Sequence, residues 1–545
     1  MIKKRILMCA ESSHLSSGFG NYTREILSRL FNTNKYEVAE LSCYRTQDTP
    51  KVEPWKIYPV AVNPNVDEGM YQMYMANQNN VFGQWRFEYA LLDFRPDIVF
   101  DIRDFWYFLY QEISVLRPFY RWIIAPTYDS SPQKIDSLNT YANADMLLFH
   151  TNWAKQDLLN SKHGIPFENI GPIVNDAVDT KVYKPIGFSK SLLKARQGIS
   201  KNSFIIGSVM RNQQRKLIPN LCKNFSKILQ QNPDKDIFLY LHTSYPDSAG
   251  WDIPALLLEY GIADRVLITY LCHNCNHCFP SVFRESTTPC LKCNHLSAHP
   301  TSPNKAISTT DLNNIYNLFD IYVQYAICEG FGIPVVEAGS VGMPIITINH
   351  GAMAEVGQSV GADLVSVENT FRELGSNADR VYPKDDECVD IIQKYIDMSS
   401  DNIKKKASTV RQNTLSNYSW DKTAKTFEDI FDNIDISKNL PWNTPQRDIN
   451  MKMTITDNIN NRLFLYYIVD NIICDPWLKQ TSFIEDLIRS LDVGFIMRGN
   501  TALPFDRVKA LKILEGHANQ KNGIELLRLA TGLPWPKELI EFINY

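Results

Sequence analysis

Glu329-Gly-Phe-Gly-Ile-Pro-Val-Val-Glu337-Ala-Gly-Ser-Val-Gly342 lies between two apolar runs. Ile321, Tyr322, Val323, Tyr325 and Ile327 precede it, and Ile345, Ile346 and Ile348 follow. The order predicts a strand, a glycine turn, a short helix and a second strand. Gly330 and Gly332 let the backbone turn tightly and come close to a ligand. The helix that follows offers unpaired N–H groups to an anion. Glu329 stands before this turn and Glu337 within the helix. Carboxylates repel phosphate, so these two are expected to grip hydroxyls. Phosphate and hydroxyls on one ligand point to a nucleotide-sugar. A Gly-x-Gly turn taken alone reads equally as a plain strand-to-helix connection with two solvated glutamates.

Extended through Pro344 and Glu355, the block resembles the Glu-Gly-Phe-Gly-x-Pro-x-x-Glu-Ala signature of glycosyltransferase family 4. That resemblance implies an α/β chain of the GT-B fold: two doubly wound Rossmann-like domains facing a central cleft. It implies a retaining glycosyltransferase, hexosyl or pentosyl, using a UDP- or GDP-sugar. Glu329 would lie by the transferred sugar and Glu337 would hold the ribose. The amides of Gly330, Phe331 and Gly332 would contact sugar or phosphate. No covalent nucleophile is required in such enzymes, where the leaving phosphate oxygen helps to deprotonate the acceptor. The resemblance spans roughly residues 1–435, is densest from 204 to 357, and ends near Tyr418-Ser-Trp420.

Two further stretches fit a donor site. Ser17-Gly18-Phe19-Gly20-Asn21 follows the first apolar strand and opens a helix, where backbone can approach phosphate or sugar. Family 4 usually carries a Gly-Gly pair there, so Gly18 and Gly20 match only approximately. Arg211 and Lys216 follow the strand ending at Val209. A forked guanidinium and a mobile ammonium can clamp a diphosphate and stabilise the charge growing on it. Their spacing resembles the family's diphosphate pair; Arg215 competes with Arg211, and Leu217 stands where a glycine usually follows. A solvated basic loop is the alternative. Many relatives place a histidine near the reacting sugar, but the corresponding stretch here is Ala125-Pro-Thr-Tyr-Asp-Ser-Ser131. Asp129 is therefore a candidate acceptor-side base or hydroxyl ligand, with a turn-capping aspartate the plainer reading. His150 reads as structural, and Asp234-Lys-Asp236 as a turn rather than a metal motif.

Bulk properties narrow the class. The 545 residues exceed one core, and alternating strands and helices predict parallel sheets covered on both faces. The expected division is 1–185 (acceptor-side domain), 186–435 (donor domain), an insertion at 270–300, and a helical extension over 440–545. The extension reads as a packing or oligomerisation module, with apolar stripes at Phe464–Val469, Phe483–Leu491, Arg507–Leu514 and Glu525–Leu529. A net charge of −4 gives no global field for nucleic acid. The apolar stretch after Arg5 is too short for a signal sequence, and no run is long enough to span a membrane. Eleven cysteines, an odd number, fit a reducing compartment, so the cytoplasm is expected. The acceptor is a glycan, a lipid or a modified nucleic acid; a non-catalytic GT-B relic that recruits a partner is the reading from another class.

The insertion carries Cys272-x-x-Cys275 and Cys290-x-x-Cys293 with fourteen residues between the pairs. That is the spacing of a four-thiolate zinc ribbon, a closed structural site with no reactive water. Asn276 and Asn294 each follow the second cysteine of a pair, where a knuckle needs tolerance of left-handed φ. This symmetry selects Cys272, Cys275, Cys290 and Cys293 and leaves Cys278 over. No catalytic metal is expected. Zinc ribbons often contact nucleic acids, but only Arg284, Lys292 and Lys305 oppose Glu285 here, few cations for such a partner.

Overall fold

The computed structural model describes residues 3–442 except 285, 303 and 304. Further on it describes 460–473, 478–480, 484, 485, 487, 488, 497, 498, 501, 502, 507–517, 526 and 527. The first sheet is wholly parallel. Its strands are β1 (Lys4–Glu11), β2 (Tyr36–Cys43), β3 (Lys56–Pro59), β4 (Ile98–Asp101), β5 (Arg121–Ile124), β6 (Met146–Phe149) and β7 (Ile170–Ile173). They lie in the order β3-β2-β1-β4-β5-β6-β7. Ile6 to Ala10 of β1 are fully buried, which is why the strand reads as an unbroken apolar run.

The second sheet begins with β8 (Phe204–Val209), β9 (Ile237–His242) and β10 (Val266–Cys272). A small antiparallel insertion follows: β11 (Cys278–Val282), β12 (Thr288–Pro289) and β13 (Leu296–Pro300). β14 (Ile321–Val323), β15 (Ile345–Ile348) and β16 (Asp363–Val365) complete it. The order is β12-β13-β10-β9-β8-β14-β15-β16, with β11 also on β10. The predicted glycine signature thus connects β14 to β15, as its flanking apolar runs require. The hairpin β17 (Val367–Arg372) and β18 (Asp379–Pro383) follows β16.

Among the parallel strands of each sheet the order reverses once, between β1 and β4 and between β8 and β14. Connections leave such a point in opposite directions and open a crevice at the carboxyl ends of the strands, where doubly wound sheets bind ligands. All the signature segments follow one of these strands. The Gly18 turn follows β1, Arg211–Lys216 follows β8, and Glu329–Gly332 follows β14.

Several contacts join the two sheets. Glu355 accepts the amide of Asn152 at 2.9 Å and that of Trp153, capping the helix Asn152–Asn160 from across the cleft. Asp379 N donates to Ser131 O at 2.8 Å, and Arg380 meets Asp129 at 3.1 Å. The helix Trp420–Asn433, capped by Ser419, crosses back to the first sheet. It buries Trp420, Ala424, Phe427, Ile430 and Phe431 in one core with Tyr22, Ile26 and Leu30 of the helix Gly18–Asn32. Emptying such a site, as in Phe427→Ala, costs about 3–5 kcal/mol.

Beyond residue 440, Trp442 stacks on Phe119 with ring centroids 4.5 Å apart. The described parts of the extension are largely helical, including Asn461–Ile468 and Arg507–His517. Phe464, Leu465, Ile468, Ile484, Leu487, Leu514 and Leu526 join the core of the first sheet. Phe483, Glu525 and most of the remaining extension lie outside the described residues. Among the described residues no helix is long and apolar enough to cross a membrane.

Candidate active site

Gly332 opens the helix Ile333–Val341 with φ at +93°, a left-handed conformation that glycine adopts without steric cost. Pro334 lies in the first turn, where its missing N–H is no loss. Pro334 has no N–H and Val335 N already donates to Gly332 O at 2.9 Å, so the amides left at this terminus are those of Ile333 and of the glycine turn itself. Glu329, one strand-turn earlier, is buried at 7% exposure. Its Oε2 accepts from Arg215 at 2.8 Å, its Oε1 from Gln324 at 2.8 Å, and Lys216 pairs with the same Oε1. Burial opposes ionisation, but the Arg215 guanidinium and the Lys216 ammonium outweigh it and hold the carboxyl at about 2. Glu329 is a carboxylate at any physiological pH.

Both basic residues of the β8 loop reach the crevice, in different ways. Lys216 is buried beside Glu329, whereas the Arg211 side chain is 53% exposed and pairs through Nε with Asp247 at 3.1 Å. Arg215, the competitor of Arg211 in the sequence, instead braces Glu329 and the carbonyl of Cys328. On this wall the three cations meet two carboxylates, Asp247 and Glu329.

Glu337 faces inward from the helix, and Tyr316 Oη donates to it at 2.8 Å. Burial raises its pKa, against the pull of hydrogen bonds from Tyr316 and Tyr183. A buried carboxylate already lined by hydroxyl donors is suited to hold further hydroxyls.

The opposite wall comes from the first sheet. Ser17 caps the helix Gly18–Asn32 by accepting from Gly20 N at 3.1 Å, and its hydroxyl bonds Glu11 at the end of β1. A Cβ on Gly18 would lie 3.4 Å from Ile333 Cδ1, so the two glycine turns face each other directly. Gly20 packs against the carbonyls of Ser12 and Leu15. A Cβ on Gly330 would fall 2.5 Å from Thr127 Cγ2, so the walls touch there too.

Asp129 enters the crevice and is bound by Arg380, by Ser130 Oγ at 2.8 Å and by Cys328 Sγ at 3.3 Å. Tyr128 turns inward and bonds Asp157 at 2.6 Å. His150 is buried between Ala125 O and Asp176, consistent with the structural reading.

Three residues of this wall carry no motif in the sequence. Asp104 follows β4 by three positions at the switch point; burial, with the Asp129 and Glu11 carboxylates adding, pushes its pKa up to about 6, while a hydrogen bond from Thr127 opposes. Tyr107 and Tyr44 bond each other beside Glu11, whose own carboxyl is raised by burial. The available signal was only position: Asp104 and Tyr107 lie in the segment after β4, at the order reversal, and Tyr44 directly follows β2.

The cysteine cluster forms as expected. The four Sγ atoms of Cys272, Cys275, Cys290 and Cys293 all lie within 4.8 Å of one another, with two pairs at 3.6 Å. Tetrahedral thiolates at a Zn–S distance of about 2.3 Å are separated by roughly 3.8 Å, so the group has the size of a metal site. Asn276 and Asn294 have φ of +56° and +58°, and each donates to the first cysteine carbonyl of its pair at 2.9 Å. Cys278 stands apart on β11, its thiol pushed up to about 12 by burial.

Residues 304–394 match the family model described as glycosyl transferases group 1. No curated protein sequence matches the chain. Among solved structures it is similar to sucrose-phosphate synthase from Thermosynechococcus elongatus, at 14% identity and a TM-score of 0.56. That alignment covers 79% of this chain and 98% of the other. A glycosyltransferase from Rickettsia africae aligns at 15% identity and a TM-score of 0.54, over 81% of this chain and 100% of its own. The E. coli trehalose-6-phosphate structure bound with UDP-2-fluoro glucose aligns at 13% identity and a TM-score of 0.53, covering 79% and 100%. At such identities the likeness establishes architecture: the chain has the GT-B fold, and the group 1 match falls on the second sheet.

Proposed function

We propose that the protein is a retaining glycosyltransferase that moves a sugar from a nucleoside diphosphate sugar to an acceptor hydroxyl. The reading is supported by the pairing of Lys216 with Glu329, which ties the loop after β8 that carries Arg211 to the turn before the helix that carries Glu337. The cations and amides take the diphosphate and stabilise its charge as the glycosidic bond breaks. Glu337 receives the ribose hydroxyls. With both oxygens engaged by cations, Glu329 orients the sugar hydroxyls and the Lys216 ammonium, and it is poorly placed as a nucleophile. Retention follows the family 4 signature, with acceptor attack on the face from which the diphosphate leaves.

The acceptor enters along Glu11, Tyr44, Asp104, Tyr107 and Asp129. Three carboxylates on that wall disfavour a phosphate-rich acceptor such as a nucleic acid and favour a polyol hydroxyl. The ribbon binds zinc through its four thiolates, in a structural role. Release of free nucleotide across a panel of UDP- and GDP-sugars tests the donor assignment. Slow hydrolysis of one donor, with the released sugar initially in the donor's anomeric form, is expected. If no nucleotide-sugar binds or turns over, the assignment is wrong.

A further inference from the structure

We propose that the metal-binding knuckles buttress the diphosphate site: they hold the loop after β9, and Asp247 on that loop positions Arg211. The proposal rests on the reading of Arg211 as a diphosphate ligand.

The knuckles are continuous with the second sheet rather than hung from it. β9 pairs with Val266–Ile268 of β10, and β13 takes over the same strand from Tyr270 to Cys272. Cys272, the first thiolate, is itself the last residue of β10. The chain leaving β13 reaches Thr301, which closes onto the loop after β9. Thr301 Oγ1 donates to Thr243 O at 2.9 Å, and Tyr245 N donates to Thr301 O at 2.9 Å. Tyr245 also meets Phe283, which follows β11, edge-on at 5.3 Å.

From that anchor the path to Arg211 is short. Ser244 Oγ accepts from Asn212 N at 3.2 Å and donates to Asp247 Oδ2 at 2.8 Å. The same Oδ2 accepts from Arg211 Nε at 3.1 Å, and Oδ1 accepts from Ala249 N at 3.2 Å. The Asp247 side chain is 2% exposed, against 53% for Arg211. The pin is buried while the guanidinium stands in the open crevice. Binding through Nε leaves the terminal nitrogens of Arg211 facing an anion in forked geometry. The far end of the loop is tied to the same segment, Trp251 Nε1 donating to Lys216 O at 2.8 Å.

Phe279 and Ala298 anchor β11 and β13 in the second sheet's core, but the knuckles beyond them bury too little to order themselves and depend on the metal. With the metal removed, Thr301 and Phe283 lose their fixed positions. The segment Thr243–Asp247 then loosens, and Arg211 becomes an ordinary mobile surface arginine.

The test is calorimetry of UDP and GDP, and of uridine and guanosine, on the full-length zinc-loaded protein. It is repeated after chelation, in Thr301→Val (which keeps all four cysteines), and in both conditions on an Arg211→Ala background. Misplacing one charge-assisted contact is expected to weaken the preferred diphosphate about tenfold. In Arg211→Ala the same perturbations change affinity by about twofold or less, because the coupled group is gone. The matching nucleoside is unaffected throughout. Equal losses in both backgrounds, or unchanged diphosphate affinity, overturn the buttress. If the intact protein binds no nucleoside diphosphate, the donor assignment itself fails. Hydrogen exchange of residues 243–251 then decides the coupling: faster exchange on metal removal supports it, and unchanged exchange overturns it.

Discussion

Replacing Gly330 by alanine probes the point where the two sheets meet. The backbone at Gly330 is outside the left-handed region, so alanine costs nothing there by conformation. The cost is steric: the new Cβ lies 2.5 Å from Thr127 Cγ2, far inside van der Waals contact, and something must move by about 1 Å. Thr127 cannot simply rotate. Its side chain is β-branched, and its hydroxyl bonds Asp104, so turning Cγ2 away takes that hydrogen bond with it. Over-packing of this kind costs about 1–3 kcal/mol. Expressed wholly in the closed, reactive geometry, that lowers kcat/KM roughly 5- to 150-fold. Thr127→Ser removes Cγ2 and keeps the hydroxyl, so the double variant recovers most of the loss. The measurement is kcat/KM for donor hydrolysis in the four members of the cycle, with thermal melting to follow the fold. Wild-type turnover in Gly330→Ala, or no recovery in the double variant, refutes the contact.

Other outcomes follow from the same geometry. Glu337→Ala orphans the buried Tyr316 and Tyr183 hydroxyls and lowers stability by about 1–3 kcal/mol. It also weakens UDP binding but not that of 2′,3′-dideoxy-UDP; equal weakening of both disproves ribose recognition. Asp104 ionises near pH 6, so transfer rises with pH through that value and Asp104→Asn flattens the limb. A rate profile unchanged by the substitution counts against Asp104 as a hydroxyl acceptor. Its carboxyl is raised on folding, so the native chain keeps a proton the unfolded chain has lost, and stability falls as pH rises from about 4 to about 6. Elemental analysis is expected to find one zinc per chain, retained in Cys278→Ser and lost in Cys290→Ser. Zinc loss in Cys278→Ser breaks the ligand assignment.

Local patterns carried far in this chain. The glycine turn and the knuckles depend on residues close in sequence whose types have direct steric or chemical meaning. Gly332 adopts positive φ, as do Asn276 and Asn294, and the four thiols converge. Strands such as β1 and β8 are legible because burial on both faces demands continuous apolar runs. β7 is not: Gly171 and Pro172 disguise an edge strand that needs neither full burial nor every amide.

Pairings between distant segments are a different matter. Arg211, Arg215 and Lys216 are chemically similar and lie within six residues, so composition cannot say which braces Glu329 and which stays open. Backbone direction after β8 makes that choice, along with a carboxylate, Asp247, from the neighbouring strand's loop. Asp104 has no motif; burial raises its pKa, with Asp129 and Glu11 adding and the Thr127 hydrogen bond opposing. The helix Trp420–Asn433 shows an ordinary apolar stripe, yet it packs on the first sheet, a choice of partner that its periodicity does not encode. Short-range sterics and ligand spacing are written residue by residue in the chain. Charge pairing and burial arise between segments tens to hundreds of residues apart, and they exist only once the chain has folded.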